Sequence, residues 1–445
     1  MLWLRNVLSR PVLRYASARR AFRHFIPPQL DEIEDLEGYR PGGYHPISIG
    51  DVYDHGRFRV LHKLGSGGSA TVWLARDKPK GGNQGRLVAL KAMHADLSSA
   101  PPIAIPHTPE ANVQTTDHQF TVQGPNGTHL FLASPLAGPS VRAMSDSPGR
   151  VAGTRRLRAD LARKVAKQTA TALQHLHHIG VVHGDLTTSN ILFRLSPHTR
   201  GWSDAEVYAH FGEPELESVR TCDGRPPGPH APPALVAAIP NTRLCDAPRL
   251  LLEHTVLADF GQSFFAHSPP PSYVPRTTLG YQSPEARFEA RVGLEADIWA
   301  LACAIFEIRA GFALFEAFLG SEVDVLKQTV EMLGRLPEPW WGAFEERSRW
   351  FEQDGRPRSE LEQERSGVLL IAYPTSIREK LREIGAQDDD DVDYMPPGPM
   401  FEKRRVGLSE AEVELMADLL EKMLRYKPEE RIRIGDVVRH PWFML

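Results

Sequence analysis

A chain of 445 residues, 41% apolar and 24% charged, is long enough for two lobes that each bury a core, and its composition is that of an ordinary globular protein. The formal charge of -4 argues against wholesale nucleic-acid binding, so no direct nucleic-acid contact is expected, and no apolar run approaches the roughly 20 residues that span a bilayer. Cys222, Cys245 and Cys303 are widely spaced and odd in number, which points to free thiols rather than a disulfide framework.

Residues 1–43 differ from the rest. Arg5, Arg10, Arg14, Arg19, Arg20 and Arg23 precede the first acidic residue, Asp31, and Leu4, Leu8 and Val12 would share one face of a helix. The segment is either a basic arm or a mitochondrial presequence. Residues 57–63, 71–76 and 87–93 then predict three strands, with Leu64-Gly65-Ser66-Gly67-Gly68-Ser69-Ala70-Thr71-Val72-Trp73 joining the first to the second. Gly65 and Gly67 let the backbone fold tightly without Cβ interference. Pro101, Pro102, Pro106 and Pro109 follow Lys91 at a density that excludes a regular helix, and Glu110 is the only Glu between Lys91 and Phe131. A strand at 128–134 leads into Pro135-Leu136-Ala137-Gly138-Pro139, read by position as a hinge.

Leu157, Leu161, Val165, Leu173 and Leu176 predict a helix from Leu157 to His178 that stops at Gly180. His175, His177 and His178 at its end have no Cys or acidic partners nearby in sequence, and no metal site is read there. Residues 196–252 are rich in Pro and Gly around Pro226 to Pro233, a composition that excludes a regular core element. This insert is either a ligand for a partner or, the preferred reading, a strap over the larger lobe. A helix dense in apolar positions begins near Asp297, and amphipathic helices are predicted for Phe312 to Leu333 and Leu408 to Leu424. The acidic run from Asp388 to Asp393 reads as a solvated loop.

Several motifs come in a telling order: the glycine-rich stretch, Val88-Ala89-Leu90-Lys91, Val182-His183-Gly184-Asp185 running on to Asn190, Ala258-Asp259-Phe260-Gly261, Ser283-Pro284-Glu285, Asp297-Ile298-Trp299-Ala300, and Arg431. Together they resemble the eukaryotic-type serine/threonine protein kinases over about residues 58 to 443. Tyr44-His45-Pro46-Ile47-Ser48-Ile49-Gly50-Asp51, the Ser-Ala-Thr-Val-Trp-Leu run from Ser69, Gly280-Tyr281-Gln282 before Ser283, and the long insert resemble the SR-protein kinases of the CMGC group, especially their fungal relatives.

The resemblance implies an α+β, bilobal kinase fold. A small β-rich N-lobe (about 58–136) and a larger helical C-lobe (about 137–443, with the insert at about 196–252) would hold ATP and Mg2+ in the cleft between them. It implies Asp185 as catalytic base, Asn190 and Asp259 as metal ligands, and Lys91 as phosphate clamp. Leu64, Gly65, Ser66, Gly67, Gly68, Val72, Ala89, Leu136 and Ala137 would line the nucleotide site. The substrate would be protein Ser or Thr, on Arg/Ser-rich segments in the SR-protein kinase case, and the chain reads as a monomer. The resemblance implies the cytoplasm and nucleus, whereas the Arg-rich start points to the mitochondrion.

Three positions depart from the family pattern. Thr187 stands where a lysine usually neutralises the phosphoryl group, and Gly184 replaces the arginine that usually reads an activation-loop phosphate, so activity should not depend on phosphate at Thr277 or Thr278. The αC helix, whose Glu should pair with Lys91, is shortened or missing. Two readings of that gap compete: a pseudokinase scaffold that binds partners, or a chain from which a segment has been lost. The intact Asp185, Asn190, Asp259 and Lys91 favour the second.

Overall fold

Val88, Leu90 and Ala92 are buried while Ala89 and Lys91 between them are half-exposed, as on a strand with two unlike faces. The computed structural model describes residues 24–79, 85–98, 103, 105–106, 111–147, 153–245, 250–271, 273–386, 388 and 398–445. Strands β1 (Val52–Tyr53), β2 (Phe58–Gly67), β3 (Ala70–Asp77), β4 (Arg86–Met93), β5 (His118–Gly124) and β6 (Gly127–Pro135) form an antiparallel sheet in the order β1-β2-β3-β4-β6-β5. The four predicted strands fall on β2, β3, β4 and β6. Val88, Leu90 and Ala92 pack with Phe58, Val60, Trp73 and Phe131 in one buried layer, which leaves Ala89 and Lys91 on the opposite face.

No α-helix is found among the described residues between Met93 and His118. A 3-10 turn, Ala95–Leu97, stands there, while Glu110, Pro101, Pro102 and Pro109 lie outside the described residues. After the gap Val113 bridges Leu257 in parallel, and Gln114 donates its side-chain amide to the Pro135 carbonyl at 2.6 Å. The small lobe is therefore tied through Asn112, Val113 and the Gln114 amide to Leu257, two residues before Asp259.

Leu136 alone separates β6 from β7 (Ala137–Ser140), which already belongs to the large lobe. There follow α1 (Val141–Asp146), α2 (Ala159–His178), β8 (Val181–Val182) and β9 (Ile191–Leu195), and after the insert β12 (Leu251–Leu257) completes a sheet β12-β9-β7. Helix α2 buries Leu161, Val165, Leu173 and Leu176 on one stripe and stops at Gly180, whose φ of +74° suits glycine. Next come β13 (Phe264–Phe265), paired with β8, and α5 (Pro284–Glu289). In α6 (Leu294–Ala310) every residue from Ala296 to Ala310 is buried, as befits a helix apolar on most sides. Helix α7 (Glu322–Leu333) starts ten residues later than predicted, because Ser321 caps it and Leu319 and Gly320 have positive φ. Helix α8 (Glu410–Met423) lies where predicted.

The insert departs from expectation in two ways. It does hold regular structure: α3 (Asp204–Phe211), opened by a Ser203–Glu206 capping box, a hairpin of β10 (Leu216–Ser218) and β11 (Ala234–Val236), and α4 (Asn241–Cys245). Trp202, Val207, Phe211 and Leu244 enter the main core, each apolar side chain contributing about 1.5–3 kcal/mol when fully buried. The strap also crosses to the small lobe rather than lying only on the large one. Asp204 meets Arg59 and Arg76, Tyr208 donates to the Leu61 carbonyl at 3.3 Å, and Ala238 bridges Lys63.

Part of the basic arm is likewise built into the fold. Phe25, Leu36, Tyr39 and, where the arm continues towards Asp51, Tyr44 form a satellite core with Val219, Ala231 and Leu235 of the insert. Residues 1–23, which hold the arginine run, lie outside the described residues. Asp388, the one described residue of the acidic run, turns its side chain onto buried Arg156 rather than to solvent.

Lys63 of β2, fully buried, pairs with Glu34 and donates to the Val236 carbonyl at 3.0 Å, so one ammonium joins arm, sheet and insert. A buried charge stripped of its partner is strongly unfavourable. Glu34→Leu alone should destabilise the protein by about 3–5 kcal/mol, and adding Lys63→Met should recover most of that loss. Denaturant unfolding of the two variants beside the unmodified chain checks this.

Candidate active site

The catalytic loop between β8 and β9 is hung from the start of α6. Asp297 accepts the His183 amide at 2.8 Å on Oδ2 and the Gly184 amide at 3.0 Å on Oδ1, and His177 meets the same carboxylate at 3.1 Å. His177 is thus a structural residue. His183 then works in two directions: its Nδ1 accepts the Asp185 amide at 3.2 Å, and its Nε2 donates to the Ala258 carbonyl at 3.1 Å. One imidazole sets the spacing between the loop carrying Asp185 and the strand end carrying Asp259.

Asn190 donates its side-chain amide to the Asp185 carbonyl at 2.8 Å and to Asp185 Oδ2 at 3.2 Å. This orients the carboxylate and leaves the Asn190 carbonyl oxygen as the group a cation would meet. Lys91 Nζ donates to Asp259 Oδ1 at 2.8 Å, as does the Gly261 amide at 3.1 Å. With no αC glutamate among the described residues, the lysine is held by Asp259 itself. Two oxygen donors, a carboxylate and an amide carbonyl, suit a hard divalent cation that takes its remaining ligands from phosphates and water. No group of three or more His, Cys, Asp or Glu that could hold a metal is found among the described residues.

The charges are tuned in opposite directions. Burial pushes the Asp185 carboxyl above its ordinary value, reinforced by Asp259, while His183 and bonds from Asn190 and Thr277 act the other way. Loss of hydration also opposes ionisation of Asp259, but Lys91 and the Gly261 amide outweigh it and hold that carboxyl below the usual range. A carboxylate suited to accept a proton thus stands beside one that stays ionised.

The remaining predicted site residues lie on β2, β3, β4 and the link between the lobes. Val72 pairs across the ladder with Lys91, and Ala89 lies two residues before it on the same face. Gly65, Ser66 and Gly67 end β2, Gly68 turns into β3, and Leu64 and Leu136 pack against the main core from the two sides of the cleft. Ala137 sits just past the link, opposite Arg194 in β9.

Gly184 has a definite physical reason. Its φ is +78°, and a Cβ there would stand 2.6 Å from the Tyr273 hydroxyl and 2.7 Å from the Gln262 carbonyl. The activation segment fills the place an arginine would need: Tyr273 packs on Phe264 and reaches the Gly184 carbonyl at 3.4 Å, and Thr277 donates to it at 2.7 Å. Thr277 is buried with its hydroxyl committed to that carbonyl, so it is a fixed part of the site rather than a phosphate acceptor, whereas Thr278 is exposed. Tyr281 and Thr188 share Glu307 of α6, and Arg431 forms the expected pair with Glu285 through two 2.7 Å bonds. Sequence reasoning missed the roles of Asp297, His183, Tyr273 and Thr277. Only Asp297 carried a signal, a charged residue opening an otherwise apolar helix.

Phosphoryl transfer asks a protein mainly for position and opposed charge. A glycine-edged sheet above a hung loop, meeting at Lys91, Asp185, Asn190 and Asp259, defines a protein kinase. Residues 250–443 match the model of the protein kinase domain. The chain is 27% identical to the serine/threonine-protein kinase SRPK of Physarum polycephalum, across 92% of this chain and 91% of that protein. It is 26% identical to the protein kinase dsk1 of Schizosaccharomyces pombe, across 68% and 71%, and 32% identical to the serine/threonine-protein kinase spk-1 of Caenorhabditis elegans, across 37% and 17%. The chain is an ATP-dependent serine/threonine protein kinase that resembles the SR-protein kinases.

Gly184→Arg should abolish activity instead of creating dependence on phosphate, because the activation segment has no room for the side chain. Thr278→Ala should leave kcat/KM within about twofold. Thr277→Ala, which removes a buried bond beside a charged carboxylate, should lower it about tenfold or more. Steady-state kinetics of the three purified variants checks this set.

Proposed function

We propose that this kinase transfers the γ-phosphoryl group of magnesium-bound ATP to serine in Arg/Ser-rich protein segments. The observation that carries the chemistry is the Asp185, Asn190, Asp259 and Lys91 cluster, held together by hydrogen bonds with no αC glutamate among the described residues. Asp185 accepts or orients the proton of the substrate hydroxyl, and its raised pKa suits that task. Asn190 and Asp259 offer oxygen ligands to the metal, and Lys91 shares itself between Asp259 and the phosphates. Magnesium supplies charge neutralisation at the transferring phosphoryl group, a role made larger by the uncharged Thr187. The proposed nucleotide cleft is bounded by Leu64 to Gly68, Val72 and Ala89 above and by Leu136 and Ala137 at the link.

The substrate class rests on the resemblance to SR-protein kinases and to SRSF protein kinase 3 of Homo sapiens, 30% identical over 201 residues and named for its SRSF targets. Residues 24–51 belong with the kinase domain in this reading, since they pack with the insert and the sheet.

Magnesium-dependent transfer of labelled γ-phosphate to an Arg-Ser repeat peptide should exceed transfer to a general basic protein, and Asp185→Asn should abolish both. Equal transfer to the two substrates would remove the substrate class. No transfer by the folded unmodified chain would leave a kinase-fold scaffold. The acid limb of kcat/KM should lie above the ordinary Asp value of about 3.9. Activity is lost as the pH falls through the raised pKa of Asp185, while Asp259, with its lowered pKa, stays ionised across that limb. A pH-rate profile at saturating metal tests the direction.

A further inference from the structure

The glycine-rich loop has little packing of its own. Ser66, Gly67 and Gly68 are exposed, and a Cβ placed on Gly65, Gly67 or Gly68 would meet nothing within 4 Å. A loop so open should wander unless something outside the hairpin holds it. The arm supplies a hold: the Tyr44 hydroxyl donates to the Gly67 carbonyl at 2.9 Å. Gly67 is the loop position paired with Ala70, at the tip of the β2-β3 hairpin.

Tyr44 is itself held on several sides. Its amide donates to the Gly38 carbonyl at 3.0 Å, in a turn so tight that a Cβ on Gly43 would stand 1.9 Å from that oxygen. Its carbonyl accepts from buried Asn126 at 2.7 Å. Its ring meets His94 edge to face at 4.1 Å and Tyr39 at 5.4 Å. The backbone of Gly42 and Gly43 accepts from Asp96 at 2.8 Å and Ala95 at 3.1 Å, in the stretch just after β4, and the His94 amide donates to the Ser69 carbonyl at 2.9 Å. Four residues back along β2, Lys63 is fixed by Glu34 from the same arm.

From this arrangement we infer that Tyr44 is a positioning residue for ATP: its hydroxyl holds the glycine-rich loop over the phosphates from the arm, which packs on the face of the sheet opposite Lys91. The inference rests on the reading that ATP lies under this loop, and it adds a residue 23 positions upstream of the loop to the nucleotide site. Tyr44 touches no reacting atom, so its loss acts on nucleotide affinity and leaves the proton-accepting Asp185 in place.

The test is Tyr44→Phe, which keeps the ring against His94 and Tyr39 and deletes only the hydroxyl. Tyr53→Phe is the control, since that hydroxyl bonds Asp51 at 3.2 Å on the same segment and does not reach the loop. Magnesium-ATP binding by titration calorimetry, KM and kcat for ATP, and the melting temperature are measured on both variants and the unmodified chain. Tyr44→Phe should weaken binding and raise KM for ATP about three- to tenfold, the worth of one neutral hydrogen bond, with kcat at saturating ATP kept within about twofold. Tyr53→Phe should move neither binding nor KM. Unchanged affinity in Tyr44→Phe overturns the inference while leaving the kinase reading intact. An equal rise in both variants shows a general loosening of the arm and also overturns it. A folded unmodified chain that binds no magnesium-ATP overturns both.

Discussion

The site depends first on one buried carboxylate. Asp297 opens a helix with no exposed face and offers its two oxygens to two consecutive backbone amides of the catalytic loop. An amide so deep would be costly without a partner, and a carboxylate so deep would be costly without donors. Each need is met by the other, so the loop has one low-energy position on the helix. His183, Asp185 and Asn190 follow from it in a chain of bonds, and Thr188 fastens the far end of the loop to Glu307 one side further along α6. The helix acts as a rigid rail, and the catalytic geometry is inherited from it.

The small lobe solves a different problem. A five-residue span of β4 carries Lys91 in the register set by β3 and β6, but a sheet alone does not fix its orientation above the large lobe. Here three connections do so: Val113 and the Gln114 amide on Leu257 at the end of β12, Asp204 between Arg59 and Arg76, and the Lys63–Glu34 pair on β2. Two of the three come from segments outside the usual pattern of strands and helices, the arm and the insert. Directed polar bonds fix orientation where apolar contact alone would tolerate sliding.

The motifs were legible because phosphoryl transfer places particular residue types close together along the chain. Asp185 and Asn190 sit five residues apart on one loop, and Val72, Ala89 and Lys91 need only the period of a strand to share a face. The helix at 159–178 was equally plain from its apolar spacing and its closing glycine. The insert was misread because Pro and Gly around residues 226–233 dominate its composition, while Trp202, Val207 and Phe211 are too few and too scattered to show a period. The helix expected from Phe312 began only at Glu322, since its apolar residues serve the core from an irregular approach.

By itself the sequence determined the chemistry: which carboxylates, amide and lysine are present, in what order, and on which kinds of element. What only the tertiary structure decided is what holds them. Arg59 and Arg76 meet Asp204 across separations of 145 and 128 residues, and Lys63 meets the Val236 carbonyl across 173. No local pattern encodes such partners, because a single charged or hydroxyl-bearing side chain looks alike in a sequence whether it faces water or a buried mate. The same holds for Gly184, which reads as a lost arginine until Tyr273 and Thr277 are seen filling its space. Spacing along the chain reports which residues share an element, whereas burial and pairing between distant elements arise only when the cores close around them.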